Sequence, residues 1–209
     1  MRRGSWARVS VVGAGCRGLA IGGDLSVERE CTALIAEVAE AFGRIDVLVN
    51  NAATQRRRDA IEDIPTEEWE RIVRTNLTGP FWLCREAVAH MEPGGSIINV
   101  ASIQASKPSA SLLAYATTKG GLVTFSKALS ELLAGKGIRV NVVAPGPVWT
   151  PLVAMTTDPD ELTTFGGGTL LGRPAQPAEL AGAFVFLASK DASFITGEVI
   201  AITGGEIFS

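Results

Sequence analysis

Four short runs of the 209-residue chain are apolar almost without interruption and rich in β-branched residues: IDVLVNN at 45–51, GSIINVAS at 95–102, IRVNVVAP at 138–145 and EVIAIT at 198–203. A strand with one wet face alternates apolar and polar side chains, so unbroken apolarity means that both faces are covered. The segments between the runs carry their apolar residues at helical spacing instead. Val27, Cys31, Leu34, Ile35, Val38 and Phe42 do so, with Ser26 placed to cap the start and Gly43 to end the helix. Thr66 to Met91 reads as a long helical region that Gly79-Pro80 bends or divides. A third helix runs from Ala114 to Ala134 and stops at Gly135, and a fourth from Pro177 to Ser189. Strand, helix, strand order repeated in this way predicts an α/β fold: a doubly wound parallel sheet sandwiched by helices, with ligands outside the carboxyl ends of the strands.

The length suits one domain, 1–209. A net charge of −3 gives no electrostatic footprint for nucleic acid. Every long apolar stretch is broken before about 18 residues, which argues against a membrane span. Cys16, Cys31 and Cys84 are odd in number and lack metal-ligand spacing, so the chain reads as a cytoplasmic protein with neither a disulfide framework nor a metal site. The opening MRRGSWARVSVVGAGC has too short an apolar core for an export signal. Arg56-Arg57-Arg58 reads as a solvated loop, and His90, the single histidine, as a surface residue.

Gly13, Gly15 and Gly18 follow a Val-rich run with the spacing of a dinucleotide-binding loop. Such a loop opens a helix within a βαβ unit of about 30 residues. Here Leu19-Ala20-Ile21 reads as another strand, followed at once by Gly22, Gly23 and Asp24, and no helix fits between. The glycines are therefore expected to form a tight turn or a displaced remnant.

The strongest chemical signal is YATTK, with Tyr115 and Lys119 on the third predicted helix. Residues i and i+4 share a helical face, so the ammonium can approach the phenol and bring a pKa of about 10 towards useful acid/base range. Ser102 closes a predicted strand 13 residues before Tyr115, which places its hydroxyl at the carboxyl edge. Asn76, in NLTG, can add an amide to the same place.

With NNAA at 50–53, NLTG, Ser102 ahead of YATTK, and PGPVWTP at 145–151 in this order, the chain resembles the short-chain dehydrogenase/reductase family from about Leu19 to Gly205. Its GPVWTPL and LGRPAQPAELAGAFVFLAS segments resemble a glucose-dehydrogenase-like subgroup. The resemblance implies a Rossmann-type sheet lacking most of the first βαβ unit, with 1–18 an irregular remnant of the cofactor-binding N-terminus. It implies NAD- or NADP-dependent hydride transfer on a small-molecule alcohol or carbonyl, and a homo-oligomer, dimer or tetramer. By the same resemblance Tyr115 is the acid/base, Lys119 lowers its pKa and holds the nicotinamide ribose, Ser102 polarises the carbonyl and Asn76 supports a relay water. Asp24 and Leu25 resemble the adenine-contacting pair, and Asn51, Ala52 and Ala53 the strip beside the adenosine. Pro145, Gly146, Val148 and Thr150 belong to the segment that encloses the nicotinamide. Trp149 in that segment and Gln104 are candidate pocket residues, and 152–177 is the expected mobile substrate loop with Gly166, Gly167 and Gly168 as hinges. Loss of the pyrophosphate loop implies impaired cofactor binding, and the alternative function is a catalytically silent interaction subunit that cannot bind the dinucleotide.

Overall fold

The computed structural model describes residues 18–206, so Gly13, Gly15 and nearly all of the expected remnant lie outside the described residues. Four strands, β1 (Val47–Asn50), β2 (Ser96–Val100), β3 (Arg139–Pro145) and β4 (Val199–Ile202), form one parallel sheet in chain order. Around them stand α1 (Glu28–Phe42), α2 (Thr66–Val73), α3 (Gly79–Ala87), α4 (Leu113–Ala134), α5 (Pro151–Thr156), α6 (Pro159–Leu162) and α7 (Pro177–Ala188). Each strand falls inside one of the apolar runs.

The covered faces explain the unbroken apolarity. Ile97 and Val140 pack with Cys84 of α3 and Leu133 of α4, whereas Ile98 and Val143 pack with Leu187 of α7 and Ala192. Successive side chains of one strand thus enter opposite helical layers, and all five residues of β2 are buried. β1 is different. Leu48 packs beneath α3, but Val47 and Val49 on the other face are 39% and 42% exposed. Among the described residues nothing pairs with the outer edge of β1.

Asparagines inside these apolar runs stitch the layers together. Asn50 Nδ2 donates to Asn99 Oδ1 at 2.8 Å and to Cys84 Sγ at 3.3 Å, and Asn99 Nδ2 donates to Ser126 Oγ of α4 at 2.8 Å. Asn141 donates to the Ile195 carbonyl and accepts from the Glu198 amide, satisfying backbone groups that burial would otherwise strand.

Two local expectations change, and the expected division of the 66–91 region is found. Leu19-Ala20-Ile21 is irregular, because no described strand lies beside it to complete its backbone hydrogen bonds. Ser26 does not cap α1; its hydroxyl donates to Asp24 Oδ1, and Val27 takes the cap position, while Gly43 does end the helix with φ at 82°. The 66–91 region divides into α2, a π-helical turn at Arg74–Thr78 and α3. Pro80 has no N–H for the carbonyl of Asn76 four residues back, and just before it the Gly79 amide passes over Thr75 to bond the Arg74 carbonyl five residues back. Gly79 also lets α3 touch the turn before α1: a Cβ there would stand 2.6 Å from the Leu25 carbonyl oxygen.

Candidate active site

Parallel strands end on one edge, and the segments that leave them bound a cleft of about 810 Å³. Asn51, Ala53 and Gln55 follow β1, Ser102 and Gln104 follow β2, Pro145 to Val148 close β3, and Glu206 follows β4. The first turns of α4 supply Tyr115 and Lys119. Leu152 and Val153 of α5, Phe165, and Leu180 and Phe184 of α7 form an apolar far wall.

Lys119 is 2% exposed, donates from Nζ to the Val100 carbonyl, and stands 5.5 Å from the centre of the Tyr115 ring. Burial disfavours its charged form and pulls its pKa down to about 8. Tyr115 is 9% exposed, and burial pushes its phenol above the ordinary value while a hydrogen bond with Ser102 draws it partly back. The expected lowering of the tyrosine by Lys119 is therefore absent from the free chain. Burial is the dominant influence on the phenol and the Ser102 hydroxyl the opposing one, while the Lys119 ammonium gives its hydrogen bond to a backbone carbonyl.

Ser102 lies two residues beyond β2 rather than closing it. Its hydroxyl caps the short turn Ile103–Ala105 by accepting from the Gln104 amide at 3.2 Å, which orients the side chain over the sheet edge. Asn76 does not line the cleft. Its side chain clamps Thr54, accepting from the amide and donating to the carbonyl, both at 2.8 Å, and donates to Thr118 Oγ1 at 3.1 Å. It thereby fixes the segment after β1, and Pro80 leaves its own carbonyl without the usual helical donor.

Of the expected cofactor residues, Asn51, Ala53, Pro145, Gly146, Val148 and Thr150 line the cleft with Tyr115 and Lys119, whereas Asp24, Leu25 and Ala52 do not. The Asp24 carboxylate turns back to accept from the Ser26 amide and hydroxyl, which hold it below its ordinary pKa, and Leu25 packs against the α1–α3 core. Gly146 is required by close backbone approach, since a Cβ would stand 2.8 Å from Thr203 Cα. Trp149 stays outside the cleft, 42% exposed against Phe165, while Gln104 does line it.

Several wall residues escaped the sequence reading, Gln55 and Arg57 among them. Gln55 is buried to 7% exposure, and Arg57 lines the cleft instead of lying free in solvent. Their position just beyond the carboxyl end of β1 was the available signal. Among the described residues no cluster of three His, Cys, Asp or Glu could hold a metal, and no helix is long and apolar enough to cross a membrane.

A parallel sheet with serine, tyrosine and lysine gathered at its carboxyl edge defines a class, that of Rossmann-type short-chain oxidoreductase folds. Residues 6–206 match the family model described as enoyl-(acyl carrier protein) reductase. A glucose and ribitol dehydrogenase of Daucus carota is 48% identical over 189 residues, covering 90% of this chain and 65% of that protein. A short-chain dehydrogenase/reductase of Brucella melitensis, named as a glucose/ribitol dehydrogenase, superposes with a TM-score of 0.83 at 34% identity, over 90% of this chain and 76% of the other. A 3-ketoacyl-(acyl-carrier-protein) reductase from the same organism, solved with NADH, gives 0.82 at 34% identity, over 90% and 77%. The chain belongs to the short-chain dehydrogenase/reductase family, and spans about two thirds of the length of the curated relatives it matches.

Proposed function

We propose that the cleft catalyses hydride transfer between a nicotinamide dinucleotide, NAD or NADP, and a small alcohol or carbonyl compound. The observation that carries this reading is the convergence of Ser102, Tyr115 and Lys119 on one cleft, with Lys119 Nζ 5.5 Å from the Tyr115 ring and the Ser102 hydroxyl near enough to draw the phenol's pKa down. The carrot relative's name favours a polyhydroxy alcohol or its carbonyl as substrate, and the NADH complex of the Brucella reductase favours the cofactor. The cleft suits the nicotinamide end of such a cofactor. Gly146 brings backbone close to the floor, Asn51 and Ala53 offer a strip along one side, and Lys119 has ammonium protons beyond the one given to Val100. When bound, the dinucleotide supplies or accepts the hydride.

The protein's part is proton handling and alignment. A carbonyl oxygen between Ser102 and Tyr115 accepts a hydrogen bond from each hydroxyl, which stabilises negative charge as it develops there. Tyr115 then gives up its proton, and the phenolate left behind is stabilised by the Lys119 ammonium in a site from which water is largely excluded. The Asn76 carbonyl, to which Pro80 cannot donate, is suited to hold a relay water near α4. Homo-oligomer formation fits the outer surface of α3 and α4, where Phe81 and Leu132 are 43% and 77% exposed.

The test is titration of the purified chain with NADH and NADPH, followed by nicotinamide fluorescence. Saturable binding is expected, with Tyr115→Phe abolishing turnover and leaving cofactor affinity nearly unchanged. Absence of binding at millimolar cofactor, or turnover that survives Tyr115→Phe, overturns the reading.

A further inference from the structure

The segment after β1 reaches across the cleft and touches the cover on its far side at two points. Gln55 Nε2 donates to Thr156 Oγ1 of α5 at 2.6 Å, and Arg57 stands 3.5 Å from the Glu161 carboxylate of α6. The segment itself is firmly held. Arg58 pairs with Glu68 of α2 through both carboxylate oxygens, its amide donates to the Ser111 carbonyl at 2.9 Å, and Arg57 donates to Ser111 Oγ at 3.2 Å. Asn76 clamps Thr54 immediately before it.

Proton accounting fixes which way the Gln55 amide points. The Thr156 hydroxyl has one hydrogen, and it goes to the Leu152 carbonyl at 2.6 Å. Thr156 can therefore only accept from Gln55, so the side chain must present its NH2 to α5. The bond is shielded from water, with Gln55 7% exposed, whereas the Arg57–Glu161 pair has side chains 34% and 56% exposed and is screened.

We infer that Gln55 is a positioning residue that seats α5 over Ser102 and Tyr115, with Arg57 a weaker second tether on α6. Seating α5 places Leu152 and Val153 in the cleft wall, and those side chains enclose whatever molecule occupies the site. Gln55 acts on the substrate through α5, so its loss weakens capture and leaves the proton-transfer groups in place.

Hydrogen–deuterium exchange of residues 151–163 tests this in the full chain. Gln55→Glu keeps the shape and removes the donor; Gln55→Leu removes donor and acceptor of the amide alike, and Thr156→Val deletes the acceptor from the other side. All three are expected to speed exchange in 151–163 by roughly fivefold, the factor equivalent to about 1 kcal/mol, with β2 and β3 unchanged. Unchanged exchange in 151–163, or equal acceleration in β2 and β3, overturns the inference. A raised KM with an unaltered kcat is the expected kinetic signature, and an equal fall in both overturns it. That second readout rests on the proposed reaction and the first does not, so a chain without turnover would refute the reaction while the exchange data still decide the role of Gln55.

Discussion

Burying an ammonium opposes folding, and Lys119 shows the sign of that opposition through pH. Its folded pKa is about 8 against an ordinary 10.5. Below pH 8 the lysine is charged in both states and the burial penalty is fully felt. Between about pH 8 and 10 the folded chain sheds the proton while the unfolded chain keeps it, so the penalty fades and stability rises with pH. Lys119→Met is spared the penalty throughout. Its stability advantage over the parent, measured by urea unfolding, is expected to shrink by about 2 kcal/mol from pH 7 to pH 10, and a constant difference would mean that Lys119 is not desolvated. Titration of Cys31 and Cys84 occurs in both proteins and cancels in the comparison, whereas Tyr115, with its ring 5.5 Å from Lys119, titrates together with the lysine. The YATTK spacing made the pair legible in the sequence. The pKa directions were not, because they are set by how much protein surrounds each group, and that depends on α4 lying against β2 and β3.

At the level of elements, α3 and the turn before α1 meet in a close backbone approach at Gly79. Gly79→Ala forces Leu25 away and is expected to destabilise the protein by about 1–3 kcal/mol in thermal unfolding. Gly182→Ala in α7, where a Cβ meets nothing within 4 Å, is expected to leave stability unchanged or raise it slightly. A similar loss for both substitutions would refute the close-approach account. The strands and main helices could be read from the chain because buried parallel strands and their crossovers obey different periodicities. Leu19 to Ile21 misled for the opposite reason: three apolar residues look like a strand whether or not a neighbour exists to pair with them. Arg57 misled because charge suggests solvent, while the stem of an arginine can line a cleft with its head paired elsewhere.

Across the whole molecule, protection should follow position in the sheet. β2 and β3 are covered on both faces and paired on both edges, whereas β1 has a partly bare face and an outer edge that no described residue pairs. Amide exchange is expected to be slowest in β2 and β3 and faster in β1, and a β1 that exchanges as slowly as β2 would contradict this ordering. The strand order itself has a temporal consequence. Since the strands stand side by side in the order of synthesis, each can dock on its predecessor as it leaves the ribosome. Ser102, Tyr115 and Lys119 are all made before β3, but α5 and α7 follow it. A nascent chain thus acquires its reactive groups well before the surfaces that will shelter them.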